Sequence, residues 1–206
     1  MIKLYLTFLS GELTDPPWEL ISEYRKQKLL TQRNALSRRQ SLCAELLLRY
    51  AMKSCGIMPE TPLVIEKGEN GKPALRGKAC CFNLSHSQDA VFCAISDMEI
   101  GADVQLIRMA QTSLVDRYFC RDEREYILAS PEQNTAFTEI WAAKESYCKA
   151  SGLGLSCPLS SFSVLDSKIA ARLWHKQIDN YQLAVYCEGG IPSDLQIQTV
   201  DQDALF

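Results

Sequence analysis

A helical segment followed by several short strands is indicated twice along the chain, and this order limits the folds that the chain can adopt. In the first half, apolar residues between Ala44 and Met52 recur at steps of three and four, and Gly56 follows them. This spacing predicts a helix over 37–54 that ends before the glycine. Helices followed by strands, twice over, predict an α+β fold with two similar, tightly packed lobes.

The other predicted elements follow from the same kinds of pattern. Pro16 and Pro17 suit a first helical turn, because their missing N–H has no partner there, and they start a helix-permitting stretch that runs to Leu30. Further helices are predicted over 114–129 and 133–151. Strands are predicted over 4–9, 63–65, 80–84, 90–95, 99–104, 162–165, 172–177, 181–187 and 195–200.

Composition argues against several classes of protein. The net charge of −3 gives no overall attraction to nucleic acid or anionic lipid, so local basic groups must hold any phosphate-bearing ligand. The apolar runs are too short to span a bilayer, and a first strand explains the N-terminal one better than a signal peptide. Nine cysteines without a signal peptide predict a reducing, cytoplasmic location, with Cys43, Cys93 and Cys187 as small core residues. The lack of a C-x-x-C pair gives a zinc site little support.

An acidic residue interrupts the apolar strand at 100–105. Asp103 and Gln105 share one face of this strand, since alternate side chains of a strand point the same way. A carboxylate within an apolar strand is costly unless it is compensated. A metal ion is one such partner, and a turn cap or a buried basic group are the alternatives.

A later helix carries three chemically distinct side chains on one face. Trp141, Glu145 and Lys149 are spaced i, i+4, i+8, so they line up along the helix. This pattern alone also fits a surface Glu–Lys pair beside a partly buried tryptophan.

Two polar segments precede the acidic strand. The strand at 82–87 ends in Ser85 and His86, whose hydroxyl and imidazole groups suit phosphate or sugar oxygens, although a satisfied turn has the same composition. Lys72 lies in the predicted turn at 67–73, rich in residues that tolerate positive φ. Its Gly-Lys-Pro sequence is not a phosphate-binding P-loop, because the glycine spacing and the following residue differ.

Taken in order, the segments at 71–73, 82–87, 100–103 and 141–149 resemble the 4′-phosphopantetheinyl transferase family, in particular its larger two-lobed branch, typified by the surfactin synthetase activator. The similarity extends from about 24 to 185. It implies an enzyme that moves phosphopantetheine from coenzyme A to a serine of an apo acyl or peptidyl carrier protein, with 3′,5′-ADP as the second product. It further implies a cytoplasmic monomer built as a pseudo-dimer, with the active site between lobes at 1–100 and 101–206.

The resemblance also implies a role for each motif residue. Asp103, Glu145 and Gln105 would hold Mg²⁺, Glu145 would be the general base, and Lys149 would neutralise the departing nucleotide. The first lobe would contact coenzyme A and the second would carry the metal and the catalytic groups. The expected coenzyme A contacts are Arg25, Lys28, Ser41, Lys72, Ser85 and His86, although a solvated helix face would equally explain Arg25 and Lys28.

One position departs from the family pattern, since Gln105 stands where a second acid is frequent. A glutamine still offers a carbonyl oxygen, and water can replace it as a ligand. Gln105 therefore leaves open a catalytically impaired module that only binds carrier proteins. A metal-dependent phosphohydrolase, which would use similar carboxylates with water as the nucleophile, is a further alternative. The segment 106–119, which mixes basic and apolar residues, is the expected docking surface for an acidic carrier protein.

Overall fold

Two sheets, the first mixed and the second antiparallel, form the centre of the protein in the computed structural model, which describes residues 1–11, 17–68 and 71–205. Their strands are β1 (Ile2–Phe8), β4 (Cys81–Ser87), β5 (Ala90–Ser96), β6 (Ile100–Leu106), β7 (Leu173–Ile178), β8 (Tyr181–Cys187) and β9 (Ile197–Thr199), and a separate hairpin joins β2 (Ile65–Lys67) to β3 (Pro73–Leu75). The first sheet has the strand order β4-β5-β1-β9, and the second has the order β6-β8-β7.

In the described part of the chain, six α-helices accompany the sheets: α1 (Glu23–Thr31), α2 (Ala35–Ser54), α3 (Thr112–Tyr118), α4 (Arg121–Ala129), α5 (Gln133–Ala150) and α6 (Ser167–Ala170). Side chains at the first turns fix two of their starts. The Ser22 hydroxyl accepts from the Arg25 N–H at the start of α1, and the Asn34 carbonyl accepts from the Ser37 N–H at the start of α2. Each bond satisfies a backbone donor that has no partner inside the helix.

The same connection order appears in both halves of the chain. The strand β1 is followed by the long helix α2 and then by β4 and β5, and β6 is followed by α5 and then by β7 and β8. Of β1, β4 and β5, the last along the chain is β5, which lies between the other two, and β8 likewise lies between β6 and β7. The prediction of a mixed fold with helices and sheets is confirmed.

Apolar side chains fill three layers. The facing surfaces of the two sheets bury one set, α2 covers the outer face of the first sheet, and α5 covers the outer face of the second. Phe92, Val104 and Leu183 in the middle layer are fully buried. Removal of such side chains from water contributes about 1.5–3 kcal/mol each, so this layer holds the two sheets together.

The last strand crosses between the halves. Ile197–Thr199 lies beyond the division predicted at residue 100, yet it pairs in parallel with Leu4–Leu6 of β1. The boundary between 1–100 and 101–206 stays a prediction, but the first sheet takes one strand from the end of the chain.

Several predicted elements have other bounds in the structure. The helix predicted over 114–129 is two helices, because Cys120 caps the start of α4. The Cys120 N–H donates to the Glu123 carboxylate. This carboxylate is fully buried, and the Lys144 ammonium lies 2.7 Å from it. The stretch at 162–165 forms no strand, and the strand predicted over 195–200 shrinks to β9. Pro16, Glu69 and Asn70, which belong to the predicted first helix and turn, lie outside the described residues.

The helix predicted to start at the prolines begins only at Glu23, after a short helical turn at Trp18–Leu20.

Cys43, Cys93 and Cys187 are free and buried, as predicted. Cys148 and Cys157 form a disulfide bond that the sequence did not predict. Within the described ranges, no helix combines the length and the hydropathy that a membrane crossing needs.

Candidate active site

The strand β6 and the helix α5 approach each other closely enough to bring two distant charges into contact. The Lys149 ammonium on α5 lies 2.6 Å from Oδ1 of Asp103 on β6. Gly101 allows this approach, because a Cβ at this position would lie 1.9 Å from the Ser146 carbonyl oxygen and 2.4 Å from the Ala150 nitrogen. The glycine therefore sets the distance between the strand and the helix.

Asp103 is almost fully buried, at 1% exposure, and both of its oxygens are hydrogen-bonded. The Ser85 hydroxyl donates to Oδ1 at 2.7 Å, and the Gln105 amide donates to Oδ2 at 2.9 Å. Asp103 thus has the buried basic partner that was one alternative for this strand. Gln105 lies on the same face as Asp103, and its carbonyl oxygen is not used in this contact.

Glu145 lies one helical turn before Lys149 and is half-buried. Burial, followed by the negative charge of Asp103, raises the pKa of Glu145, and the Lys149 ammonium opposes this rise. The nearby negative charge of Asp103 thus disfavours the ionised form of Glu145. A divalent cation between them would remove this repulsion.

The donor set suits a hard cation. Asp103, Glu145 and Gln105 offer carboxylate and amide oxygens, which Mg²⁺ prefers, and Mg²⁺ usually takes only one or two carboxylates plus phosphate and water. Among residues 1–11, 17–68 and 71–205, no group of three or more His, Cys, Asp or Glu side chains is placed to hold a metal. Two carboxylates and an amide therefore fit a cation that shares its coordination with a substrate.

A row of side chains on β4 joins the two sheets beside this site. Asn83, Ser85 and Ser87 accept hydrogen bonds from the backbone N–H groups of residues 102, 104 and 106, at 3.0, 3.2 and 3.0 Å. These side chains take the place of a backbone ladder between β4 and β6. Asn83 and Ser87 were absent from the predicted site, although their alternation with Ser85 was a readable signal.

A cleft on the other side of β4 concentrates positive charge. Arg25, Lys28 and His86 line it, together with apolar residues that include Phe82 and Leu84. Burial lowers the pKa of His86 to about 4, and the charges of Lys28, Lys149 and Arg25 add to this effect. Partial burial in the cleft and the charge of Arg25 also lower the pKa of Lys28, although the residue as a whole is exposed. Arg25 and Lys28 therefore supply the positive charge of the cleft, and an anionic ligand would offset the repulsion between them.

A buried carboxylate holds the Arg25 side chain in place. Its Nε donates to Glu45 on α2 at 3.3 Å, and both side chains are at most 7% exposed. Ser22 also donates to Glu45, from its hydroxyl, at 2.7 Å. Arg25 is therefore not on a solvated helix face, which was the alternative for this residue.

Two of the predicted contact residues lie elsewhere. The buried Ser41 hydroxyl accepts from the Gln32 amide at 2.9 Å, and Ser41 is not among the residues that line the cleft. Lys72 donates to Glu99 and to the carbonyl oxygens of Ile100 and Ala150, so it ties the β2–β3 hairpin to the ends of β6 and α5. The role predicted for both in coenzyme A binding stays a prediction.

Trp141 borders the site as a packing residue. Its ring packs against Phe119 and Phe137 at centroid distances of 6.1 and 6.3 Å. The Arg108 guanidinium lies 5.8 Å from the centre of the same ring. Met109, the next residue, is 75% exposed. The segment predicted to dock a carrier protein therefore begins beside the helix that carries Glu145.

Comparison with known proteins gives consistent matches. A family model described as the 4′-phosphopantetheinyl transferase superfamily matches residues 99–199. The chain is 32% identical over 170 residues to the 4′-phosphopantetheinyl transferase gsp of Aneurinibacillus migulanus, covering 81% of this chain and 70% of that protein. It is 30% identical over 159 residues to Sfp of Bacillus subtilis strain 168, covering 76% and 71%.

A further relative is matched over a shorter region. The chain is 34% identical over 128 residues to the 4′-phosphopantetheinyl transferase psf-1 of Bacillus pumilus. This match covers 61% of the chain and 55% of psf-1, so the chain spans about half the length of that relative.

Proposed function

The chain belongs to the 4′-phosphopantetheinyl transferase superfamily, and from this premise we propose that it transfers the 4′-phosphopantetheine group of coenzyme A to a serine of an apo acyl or peptidyl carrier protein. The resemblance drawn from the sequence motifs is thereby confirmed. One observation carries the proposal for the site: Lys149 pairs with Asp103, within electrostatic range of Glu145, near a positively charged cleft.

Asp103, Glu145 and Gln105 are the residues that would hold Mg²⁺, with substrate phosphate and water as the other ligands. When bound, the ion neutralises charge on the pyrophosphate and so favours attack on it. The neighbouring carboxylates and the raised pKa of Glu145 support this assignment.

The protein groups then divide the chemistry. Glu145 accepts the proton of the carrier serine, and a raised pKa makes a carboxylate a better base near neutral pH. The serine oxygen forms a bond to the β-phosphorus, the bond from that phosphorus to the bridging oxygen breaks, and 3′,5′-ADP leaves. Lys149 neutralises the charge that develops on the leaving phosphate. Arg25, Lys28 and His86 bind the phosphates in the cleft.

The segment 106–119 is the surface that we propose for carrier-protein docking. Its exposed Met109 and the Arg108 guanidinium supply an apolar contact and a positive charge close to Trp141, one helical turn before Glu145. Because one chain supplies both sheets, we propose a pseudo-dimer that works as a monomer in the cytoplasm. The repeated connection order of the two halves supports this arrangement.

Mass spectrometry of an apo carrier protein tests the function. The protein is incubated with coenzyme A, Mg²⁺ and each of several fatty-acid, polyketide and peptide-synthetase carrier proteins. We expect at least one carrier to gain the mass of phosphopantetheine, and a matched carrier with alanine at the acceptor serine to gain none.

The same assay separates the two rival functions. A binding module, for which Gln105 is the only sequence support, would form a complex with the carrier and leave its mass unchanged. A phosphohydrolase would release 3′,5′-ADP from coenzyme A without any carrier. Either result would contradict the proposed transfer.

A further inference from the structure

The Lys149 ammonium lies in a cradle of oxygen atoms. It donates to Asp103 Oδ1 at 2.6 Å, to the Ser85 hydroxyl oxygen at 3.1 Å and to the carbonyl oxygen of Ala102 at 3.3 Å. These are the kinds of donor that also bind a small hard cation. The ammonium therefore holds the place on Asp103 that a cation would need.

While Asp103 is in contact with Lys149, its carboxylate oxygens have little room to bind a further cation. Oδ1 accepts from both Lys149 and Ser85, and Oδ2 accepts from Gln105. A divalent ion at Oδ1 would meet an ammonium within contact distance, and repulsion between like charges at this range is strong in a buried site. Lys149 and a divalent ion therefore compete for Oδ1.

Lys149 is able to leave this position. Its side chain is 28% exposed, whereas that of Asp103 is 2% exposed. A lysine side chain is a flexible four-carbon stem with a charged end, so it can turn toward another anion without movement of the helix. The positive cleft lies within its electrostatic reach, since Lys149 lowers the pKa of His86.

We propose that Lys149 is an exchangeable internal cation of Asp103, which it must release before Asp103 binds a divalent ion. The inference rests on the proposed function, because the released ammonium is the group that meets the substrate phosphate. Binding of the ion and binding of a phosphate ligand are then coupled, and each strengthens the other. Lys149 thus acts on metal affinity as well as on the leaving group.

Mn²⁺ binding without coenzyme A or carrier protein tests the exchange. Electron paramagnetic resonance counts free Mn²⁺ in titrations of the full chain and its variants. Lys149→Met keeps the stem and removes the charge, and we expect its Kd for Mn²⁺ to fall by roughly 10-fold or more, because one charge at this range shifts an equilibrium by about 1–3 powers of ten.

Three further variants make the result specific. Lys149→Gln, a second neutral variant, is expected to tighten Mn²⁺ binding, and Lys149→Arg, which keeps the charge, is expected not to. Lys176→Met removes an exposed positive charge on β7 and is expected to leave the Kd unchanged. Asp103→Asn in the Lys149→Met background is expected to abolish the gain. Circular dichroism verifies that each variant is folded.

Unchanged or weaker binding in the neutral variants overturns the exchange, and so does the absence of Mn²⁺ binding in every protein. These outcomes are independent of the transfer assay. Transfer by the wild-type protein without tighter Mn²⁺ binding in Lys149→Met would reject only the exchange. Tighter binding without transfer to any carrier would reject only the proposed function.

Discussion

Asp103→Ala is expected to remove nearly all phosphopantetheine transfer, whereas Gln105→Ala is expected to keep a measurable rate. Asp103 is the buried group to which Lys149, Ser85 and Gln105 all donate, so its loss removes the centre of the site. We expect the rate to fall by roughly 1000-fold or more, in line with the loss of a group that stabilises transition-state charge. The rate of carrier-protein mass gain measures this effect.

Gln105 is expected to matter less than Asp103 for the rate of transfer. Its side-chain amide donates a hydrogen bond to Asp103, and its side-chain carbonyl oxygen, which this bond does not use, is a ligand that water can replace. We expect Gln105→Ala to lower the rate by about 10-fold, the lower end of the range for residues that support a metal ligand.

Asp103→Asn is the control for shape, since it keeps the size of the side chain and removes only the charge. Thermal unfolding separates lost chemistry from lost fold. Equal losses of activity in the Asp103 and Gln105 variants would refute the replacement of Gln105 by water.

Gly101→Ala is expected to cause the second large loss of transfer activity. The added Cβ would lie 1.9 Å from the Ser146 carbonyl oxygen, about 1.5 Å closer than ordinary contact. The obstructing atoms belong to the backbone of α5, so no side-chain rotation relieves the clash. The helix that carries Glu145 and Lys149 must therefore move away from Asp103.

A displacement of about 1 Å in a catalytic group lowers the rate on the order of 100-fold. We expect a loss of this size, together with a loss of stability of about 1–3 kcal/mol from overpacking. Rates of transfer and urea unfolding curves measure the two effects.

Gly189→Ala is the matched control for this substitution. Its Cβ would approach only the Met98 side chain, at 3.0 Å, and a methionine side chain can move. Near-normal transfer by Gly101→Ala would show that the spacing of β6 and α5 does not control the site.

Periodicity predicted the local geometry of the site. The alternation along β6 placed Asp103 and Gln105 on one face, and their side chains are hydrogen-bonded. Helical spacing placed Glu145 and Lys149 on one face of α5, where Lys149 pairs with Asp103 and the charge of Asp103 adds to burial in raising the pKa of Glu145. These predictions succeed because the backbone alone determines which side chains share a face.

Contacts between segments far apart in the sequence could not be predicted from local patterns. Nothing local indicates that residues 197–199 pair with β1, or that Lys72 bonds to the carbonyl oxygen of Ala150. Such contacts depend on how whole elements pack, which local spacing does not describe. The break in the predicted helix at Cys120 is another such case. The Glu123 carboxylate that accepts from the Cys120 N–H is paired with Lys144, which lies on a different helix.

A double-substitution cycle on the transfer rate tests most directly whether Asp103 and Glu145 work on one cation. The rates of Asp103→Asn, Glu145→Gln and the double variant are compared with wild type at saturating Mg²⁺ and coenzyme A. Residues that act as a unit give strongly non-additive losses. We therefore predict that the double variant is about as slow as the slower single variant, whereas losses that multiply would show independent roles and contradict a shared site.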